Sequence, residues 1–288
     1  RFHDCSCHYC LELHPTFVFD DFLMTQVIYQ HFRPSERAFI DKASDWLTSV
    51  TDSYSLVITD FLNPRQVFIL TTLIQGHPAQ DIQIFTSSAI AETEYVKVIL
   101  APAYYQLTPA DFELACLQID FASKFVTLKH SQILGTFLGE TGLERSKIGD
   151  IVVHDTFAQV FVDAKLVSVI MDSVHKIARS GVKIKVIDVG EFMPTIEQTI
   201  TKTVTMSSLR LDKAVASVFN ISRNLAQNLI QSSKAKVNYT EVVRNDFELV
   251  DGDLVSIRGF GRLKIVQMLG LTKKDKVRVE VQIISTKK

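Results

Sequence analysis

The 288-residue chain contains no apolar run approaching the roughly 18 residues that a membrane-crossing helix requires. It has no Gly-rich loop leading into a Lys-Ser/Thr pair, no His-Glu-x-x-His and no Gly-x-Ser-x-Gly, so three common catalytic signatures are missing. Gly139-Glu140-Thr141-Gly142 is a lone turn-like pair and not a nucleotide motif. No internal repeat or low-complexity tract is visible. The first residues lack a basic segment followed by an apolar stretch, so no secretory signal is expected and the default location is the cytoplasm. Cysteine is scarce, at four residues. Three of them, Cys5, Cys7 and Cys10, stand near His3, His8 and His14. That mixture could ligate zinc, but no second cluster follows at finger or ribbon spacing, so no metal site is expected. Met24 opens a more ordinary sequence, and residues 1–23 are expected to be an extension. Cys116, in LACLQI, reads as a buried apolar thiol.

What is present divides by charge. The chain carries 31 Lys+Arg against 32 Asp+Glu. From Ser207 to Lys288 there are 15 basic and 8 acidic residues, and the remainder holds 16 basic against 24 acidic. A basic C-terminal third on an acidic body suggests an end that binds a polyanion.

The length allows two or three domains, and an α+β fold is expected. After Pro34-Ser35-Glu36-Arg37, the residues Phe39, Ile40, Ala43, Trp46, Leu47 and Val50 recur at helical spacing. A second helix begins near Asn63-Pro64, carries Val67, Phe68, Leu70 and Ile74, and stops at Gly76-His77-Pro78. These helices predict a small helical N-terminal domain over 24–80. Residues 81–190 predict a middle α/β domain of RRM or ferredoxin-like kind. Its strands are expected at 82–85, 96–100, 117–121, 125–128, 151–153 and 182–186, with a helix over 164–179. Lys183 and Lys185 point outward from the last strand as a modest basic stripe. Residues 191–206 read as a linker or one irregular strand. His130 and His154 are expected to be structural, and Arg145 and Lys147 are candidates for a second phosphate contact.

The C-terminal domain, 207–288, begins with SSLRLDKAVASVFNISRNLAQNLIQ. Ser207 or Ser208 is expected to cap a helix to about Phe219, and Ser222 a second one with Ala226, Leu229 and Ile230 inward. Strands follow near 236–238, between 247 and 258, and in a hairpin over 262–284 whose turn is Thr272-Lys273-Lys274-Asp275-Lys276. Two short helices beside a small basic sheet would make a phosphate-gripping surface. The candidate RNA contacts are Arg210, Lys213, Arg223, Asn224, Gln227, Lys234, Lys236 and Asn238, with Arg258 and Arg262 at the edge.

Arg210-Leu211-Asp212, Ser222-Arg223, Ala226, Leu229-Ile230, Val237-Asn238 and Gly252-Asp253 resemble, in order, the S-four-type αL RNA-binding module. That module usually has glycine where this chain has Ser233. More widely, YQHFRPSERAFID, TDFLNPRQ, PAYYQLTPADFELACLQIDF, KFVTLKHSQILGTFLGETGLERSKIGDI and SSLRLD resemble the YlmH family of bacterial RNA-binding proteins, over roughly Met24 to Lys288. The middle domain departs from the family pattern: it has Ser88-Ala89 and Tyr95-Val96 where a glycine pair and a basic cluster are expected, keeping only Lys97. The resemblance implies ribosome-associated quality control: binding to large-subunit ribosomal RNA and peptidyl-tRNA, with no cofactor, no membrane partner and no catalysis. A monomer is expected. The alternative is an RNA-modifying enzyme of pseudouridine-synthase type with Asp212 as nucleophile. Such aspartates lie in a Gly-Arg-Leu-Asp context inside a large catalytic sheet. Here Ser208-Leu209 precede the triplet and about 75 residues follow Asp212, too few for a domain of that kind.

Overall fold

A computed structural model describes residues 32–77, 81–124, 126–194 and 197–286. The Cys5–Cys10 region therefore lies outside the described residues. Asn63 caps its helix as the sequence suggests, its side chain accepting from Gln66 N while Pro64 takes the first turn. The two N-terminal helices, α1 (Arg37–Ser53) and α2 (Pro64–Gly76), bury Ile40, Ala43, Leu47 and Val50 against Ile69, Leu70 and Leu73. Phe68, one of the apolar residues read along α2, is 56% exposed.

These helices cover one face of a three-stranded antiparallel sheet, order β1-β3-β2, made of β1 (Val57–Leu62), β2 (Ile82–Thr86) and β3 (Val96–Pro102). The expected boundary near residue 80 thus falls inside this unit: the strands at 82–86 and 96–102 pair with 57–62 and not with the middle sheet. The run VKVILAP is buried at every position because both faces of β3 are covered.

The middle unit follows the βαββαβ order of a ferredoxin-like fold. It contains β4 (Leu114–Phe121), α3 (His130–Thr141), β5 (Ile148–Val153), β6 (Phe157–Asp163), α4 (Val167–Ser173), β7 (Lys176–Ile177) and β8 (Ser180–Ile187). The sheet is antiparallel, in the order β5-β6-β4-β8-β7. Both helices pack on one face, over Leu117, Ile119, Val160 and Val162. Three local expectations change. Helix α3 was not anticipated; Gly142 closes it at φ 67°. Residues 126–128 are not strand. The helix expected to reach residue 179 ends at Ser173, because Lys176–Ile187 folds as a β-hairpin with Ala178 at φ 53°.

The C-terminal unit has a six-stranded sheet, order β11-β10-β12-β13-β14-β9. Its strands are β9 (Glu197–Met206), β10 (Ala235–Val237), β11 (Thr240–Glu241), β12 (Leu254–Ile257), β13 (Gly261–Leu271) and β14 (Val277–Thr286). Helices α5 (Leu211–Phe219) and α6 (Arg223–Gln231) cover one face. The expected linker is largely β9, which pairs with β14 along its whole length. Alternation in this threonine-rich stretch turns Val204 and Met206 toward the helices.

Candidate nucleic-acid interface

The N-cap of α5 is Arg210 and not Ser207 or Ser208. The first amides of the helix instead reach a turn much later in the chain, beside the single bridge between Arg210 and Glu248: Leu211 N donates to Phe247 O and Asp212 N to Asn245 O. This arrangement buries Asp212 completely. Arg210 donates to its carboxylate at 3.2 and 3.3 Å, Arg223 at 2.9 Å and Gln227 at 3.0 Å. Burial pushes the Asp212 carboxyl up, but the hydrogen bonds from Gln227, Arg210 and Arg223 outweigh it and hold it below the ordinary carboxylate range. The side chains of Arg210 and Arg223 stay 34% and 52% exposed. One buried acid therefore orients two arginines whose outer edges face solvent.

Ser222 caps α6 as expected, accepting from Leu225 N. Asn224 is exposed and Lys213 half-buried on these helices. Ser233 takes the left-handed conformation, φ 57°, that the module usually gives to glycine. The corner closes with Lys234 N donating to Leu229 O, and Arg258 N donates in turn to Lys234 O. The exposed Lys234 and Arg258 are thereby brought together.

The remaining three candidates lie elsewhere. Ala235 and Val237 face the helices, so alternation turns Lys236 to the opposite side of the sheet, in register with Ser256 and Arg262. Asn238 donates to Asp253 at 2.7 Å, and Arg262 donates to Glu94. Asn238 and Arg262 belong to contacts within and between domains, not to the helix-side cluster. The AKV alternation carried the signal for Lys236; nothing local marked the other two.

These interdomain contacts converge on a few acids that sequence reasoning missed. Arg33 donates to the buried Asp253 at 2.6 Å and lies over the Phe247 ring at 4.5 Å. Tyr239 donates to Glu94 at 2.5 Å, and its ring meets Tyr95 edge-on at 5.8 Å. Burial and the Glu94 charge push the Tyr239 phenol up. Asp150 fixes this loop by accepting from Glu94 N at 2.7 Å and Tyr95 N at 2.9 Å. Arg145, a candidate phosphate contact, lies over the Tyr95 ring at 4.5 Å, and Lys147 pairs with Asp60 at 2.5 Å. Lys97 is buried and paired with Asp163 at 2.9 Å. A cleft of about 2270 Å³ opens among the three units, bordered by Tyr95, Asp150, Phe157, Tyr239 and Lys264. Cys116 is buried as expected, and burial pushes its thiol up to about 12. His130 is exposed at the start of α3, and His154 lies 4.6 Å from the Phe157 ring. Among the described residues, no helix is long and apolar enough to cross a membrane and no His/Cys/Asp/Glu group could hold a metal ion.

Two family models match this layout, "YlmH, N-terminal" over residues 35–105 and "Putative RNA-binding domain in YlmH" over 108–191. The chain is also 38% identical, over 253 residues, to the "Ribosome-associated protein quality control protein P2" of Bacillus subtilis (strain 168). That alignment covers 88% of this chain and 96% of the relative. The chain belongs to the YlmH family. A solved structure, "Cell division protein ylmH from Streptococcus pneumoniae", is 34% identical with a TM-score of 0.51, covering 58% of this chain and 99% of that one.

The YlmH match at 108–191 coincides with the ferredoxin-like unit. Part of the helix-free face of that sheet is sealed. Phe61 from the N-terminal sheet packs on Cys116 and Phe161, with Tyr95 and Phe192 beside them. Gln159, 1% exposed, is locked between Glu191 O and Met193 N. The rest of that face, around Gln118, Phe157, Lys183 and Lys185, is not covered in this way.

Proposed function

We propose that this chain is a non-enzymatic RNA-binding protein of ribosome-associated quality control. It grips large-subunit ribosomal RNA, and tRNA on that subunit, through an S-four-type C-terminal domain. The observation that carries this reading is the pair of arginines splayed by the buried Asp212 at the ends of two helices. A fixed guanidinium is a good phosphate ligand because its planar donors match the oxygens of the anion. Lys213, Asn224, Lys234 and Arg258 extend the same surface. The name of the Bacillus relative supports the ribosomal setting.

Both Asp212 oxygens are engaged by donors, and the carboxylate has no solvent exposure. A nucleophile needs an open approach to its substrate, so this geometry favours a docking role for Asp212 over catalysis. Tyr239, Asn238 and Arg262, held against Glu94 and Asp253, set how the RNA-facing helices are presented. The protein acts as a cytoplasmic monomer.

Co-sedimentation with purified large ribosomal subunits tests the reading. Arg210→Glu/Arg223→Glu should abolish it. Lys213→Glu/Lys234→Glu, which leaves the Asp212 contacts intact, should weaken it at least tenfold with an unchanged thermal transition. Wild-type levels of co-sedimentation by both variants would overturn the assignment.

A further inference from the structure

The acidic body of the chain contains a stretch of opposite sign. Between His175 and Val186 there are four Lys+Arg residues and no Asp or Glu. The structure folds this stretch as the β7–β8 hairpin at the outer edge of the middle sheet. Register decides where the charges point. Ile177 and Ser180 are buried toward α3 and α4, so Lys176, Lys183 and Lys185 share the opposite, helix-free face, and Arg179 sits in the hairpin turn. All four are exposed. Lys185 has only a 3.6 Å contact with Asp120, and among the described residues Lys176, Arg179 and Lys183 have no ionic partner.

The neighbourhood matters as much as the charges. Cross-strand pairing sets Lys185 opposite Gln118 and Lys183 opposite Asp120, which itself faces Phe157. These positions are the part of the sheet face that the N-terminal unit leaves uncovered, since Phe61, Phe161 and Phe192 seal the other end. An amide, an aromatic and one acid, Asp120, thus lie beside a row of cations of which only Lys185 has an ionic contact among the described residues. A sheet face of this kind suits nucleic acid: cations neutralise phosphates and the aromatic offers a stacking surface.

We infer that the β7–β8 hairpin is a second RNA-docking edge, gripping phosphates at a place separate from the C-terminal helices. The inference rests on the RNA-binding reading given above. Asp150 of the middle unit holds the Glu94 loop, and Glu94 in turn accepts from Tyr239 of the C-terminal unit, which keeps the two surfaces on one frame, so occupancy of one raises the effective concentration at the other.

The test uses the full-length protein and a fluorescein-labelled 24-base-pair RNA duplex of arbitrary sequence, titrated from 50 to 200 mM salt. Lys176→Gln/Arg179→Gln/Lys183→Gln should weaken binding at least tenfold at 50 mM. It should also flatten the log–log salt dependence by about 2, since each lost phosphate contact removes roughly 0.7–0.9 from the slope. Lys42→Gln/Thr72→Glu/Gln75→Glu changes net charge by the same three units on the N-terminal helices and should leave the slope unchanged. A hairpin variant with the wild-type slope, or a control variant with an equal loss, would make these lysines mere solvated guards of a sheet edge and overturn the inference. So would displacement of the RNA-free hairpin's partner preference toward poly-glutamate, seen as tighter binding of that peptide than of RNA. Failure of the wild-type protein to bind any RNA would instead overturn the function proposed above.

Discussion

Arg223 reaches across from the start of α6 to the buried Asp212 at the start of α5, with its guanidinium 2.9 Å from one carboxylate oxygen. That contact ties the two helices together and fixes the direction in which an arginine is offered to solvent. A carboxylate that looks catalytic in the triplet Arg210-Leu211-Asp212 serves as a bracket.

Asp212→Ala removes that bracket. Because both arginines are partly exposed, the loss is smaller than for a fully buried pair, about 1–3 kcal/mol. RNA affinity should fall with it, as Arg210 and Arg223 lose their common anchor. Thermal unfolding and subunit co-sedimentation report the two effects, and mass spectrometry of ribosomal RNA should find no modification that depends on Asp212.

The depressed carboxyl of Asp212 also sets a pH dependence. Its folded pKa lies below the unfolded value of about 3.9, so as pH falls the unfolded chain takes up a proton first. The contribution is complete above that value and disappears as pH drops through the folded pKa. Wild type should therefore lose more stability than Asp212→Asn between about pH 4.5 and pH 2.5, measured by urea unfolding at stepped pH.

Lys97→Ala would leave Asp163 facing a buried gap between the N-terminal and middle sheets. Removing one partner of a buried pair costs about 3–5 kcal/mol, so this variant should melt well below wild type. Lys97→Met/Asp163→Leu should recover most of the difference, because two apolar side chains need no compensation there.

Gly149 faces the ring of Phe61, and a Cβ there would lie 2.6 and 2.9 Å from two ring carbons and 3.0 Å from Phe161 Cβ. Gly149→Ala should destabilise by about 1–3 kcal/mol through overpacking. Adding Phe61→Leu should restore part of the loss in a thermal melt, since the smaller side chain vacates the ring position.

Glu94→Ala takes the acceptor from Tyr239 and Arg262 together. The C-terminal unit should then be held less firmly against the other two. Small-angle scattering should show a larger radius of gyration, and protease should cut faster between Phe192 and Glu197. Tyr239→Phe, which keeps the edge-on contact with Tyr95, should give a weaker version of both changes.

Sequence periodicity reached as far as local interactions do. The helix-initiating Asn63-Pro64, the cap at Ser222 and the inward residues Ala226, Leu229 and Ile230 were all legible, because capping and amphipathic spacing act within one or two turns. The basic C-terminal third and the YlmH resemblance were legible as well. The start of α5 was not. Its first amides are satisfied by Phe247 and Asn245, some 35 residues away.

Tertiary structure alone decided which sheet received 82–86 and 96–102, that 197–206 pairs as a strand with the far C-terminus, and that Asn238 and Arg262 turn toward acids inside the molecule. Strand pairing and buried charge partnership are contacts between residues distant in the chain. A local pattern can say that a segment is extended or cationic, but its partner is chosen only when the whole chain has closed around it.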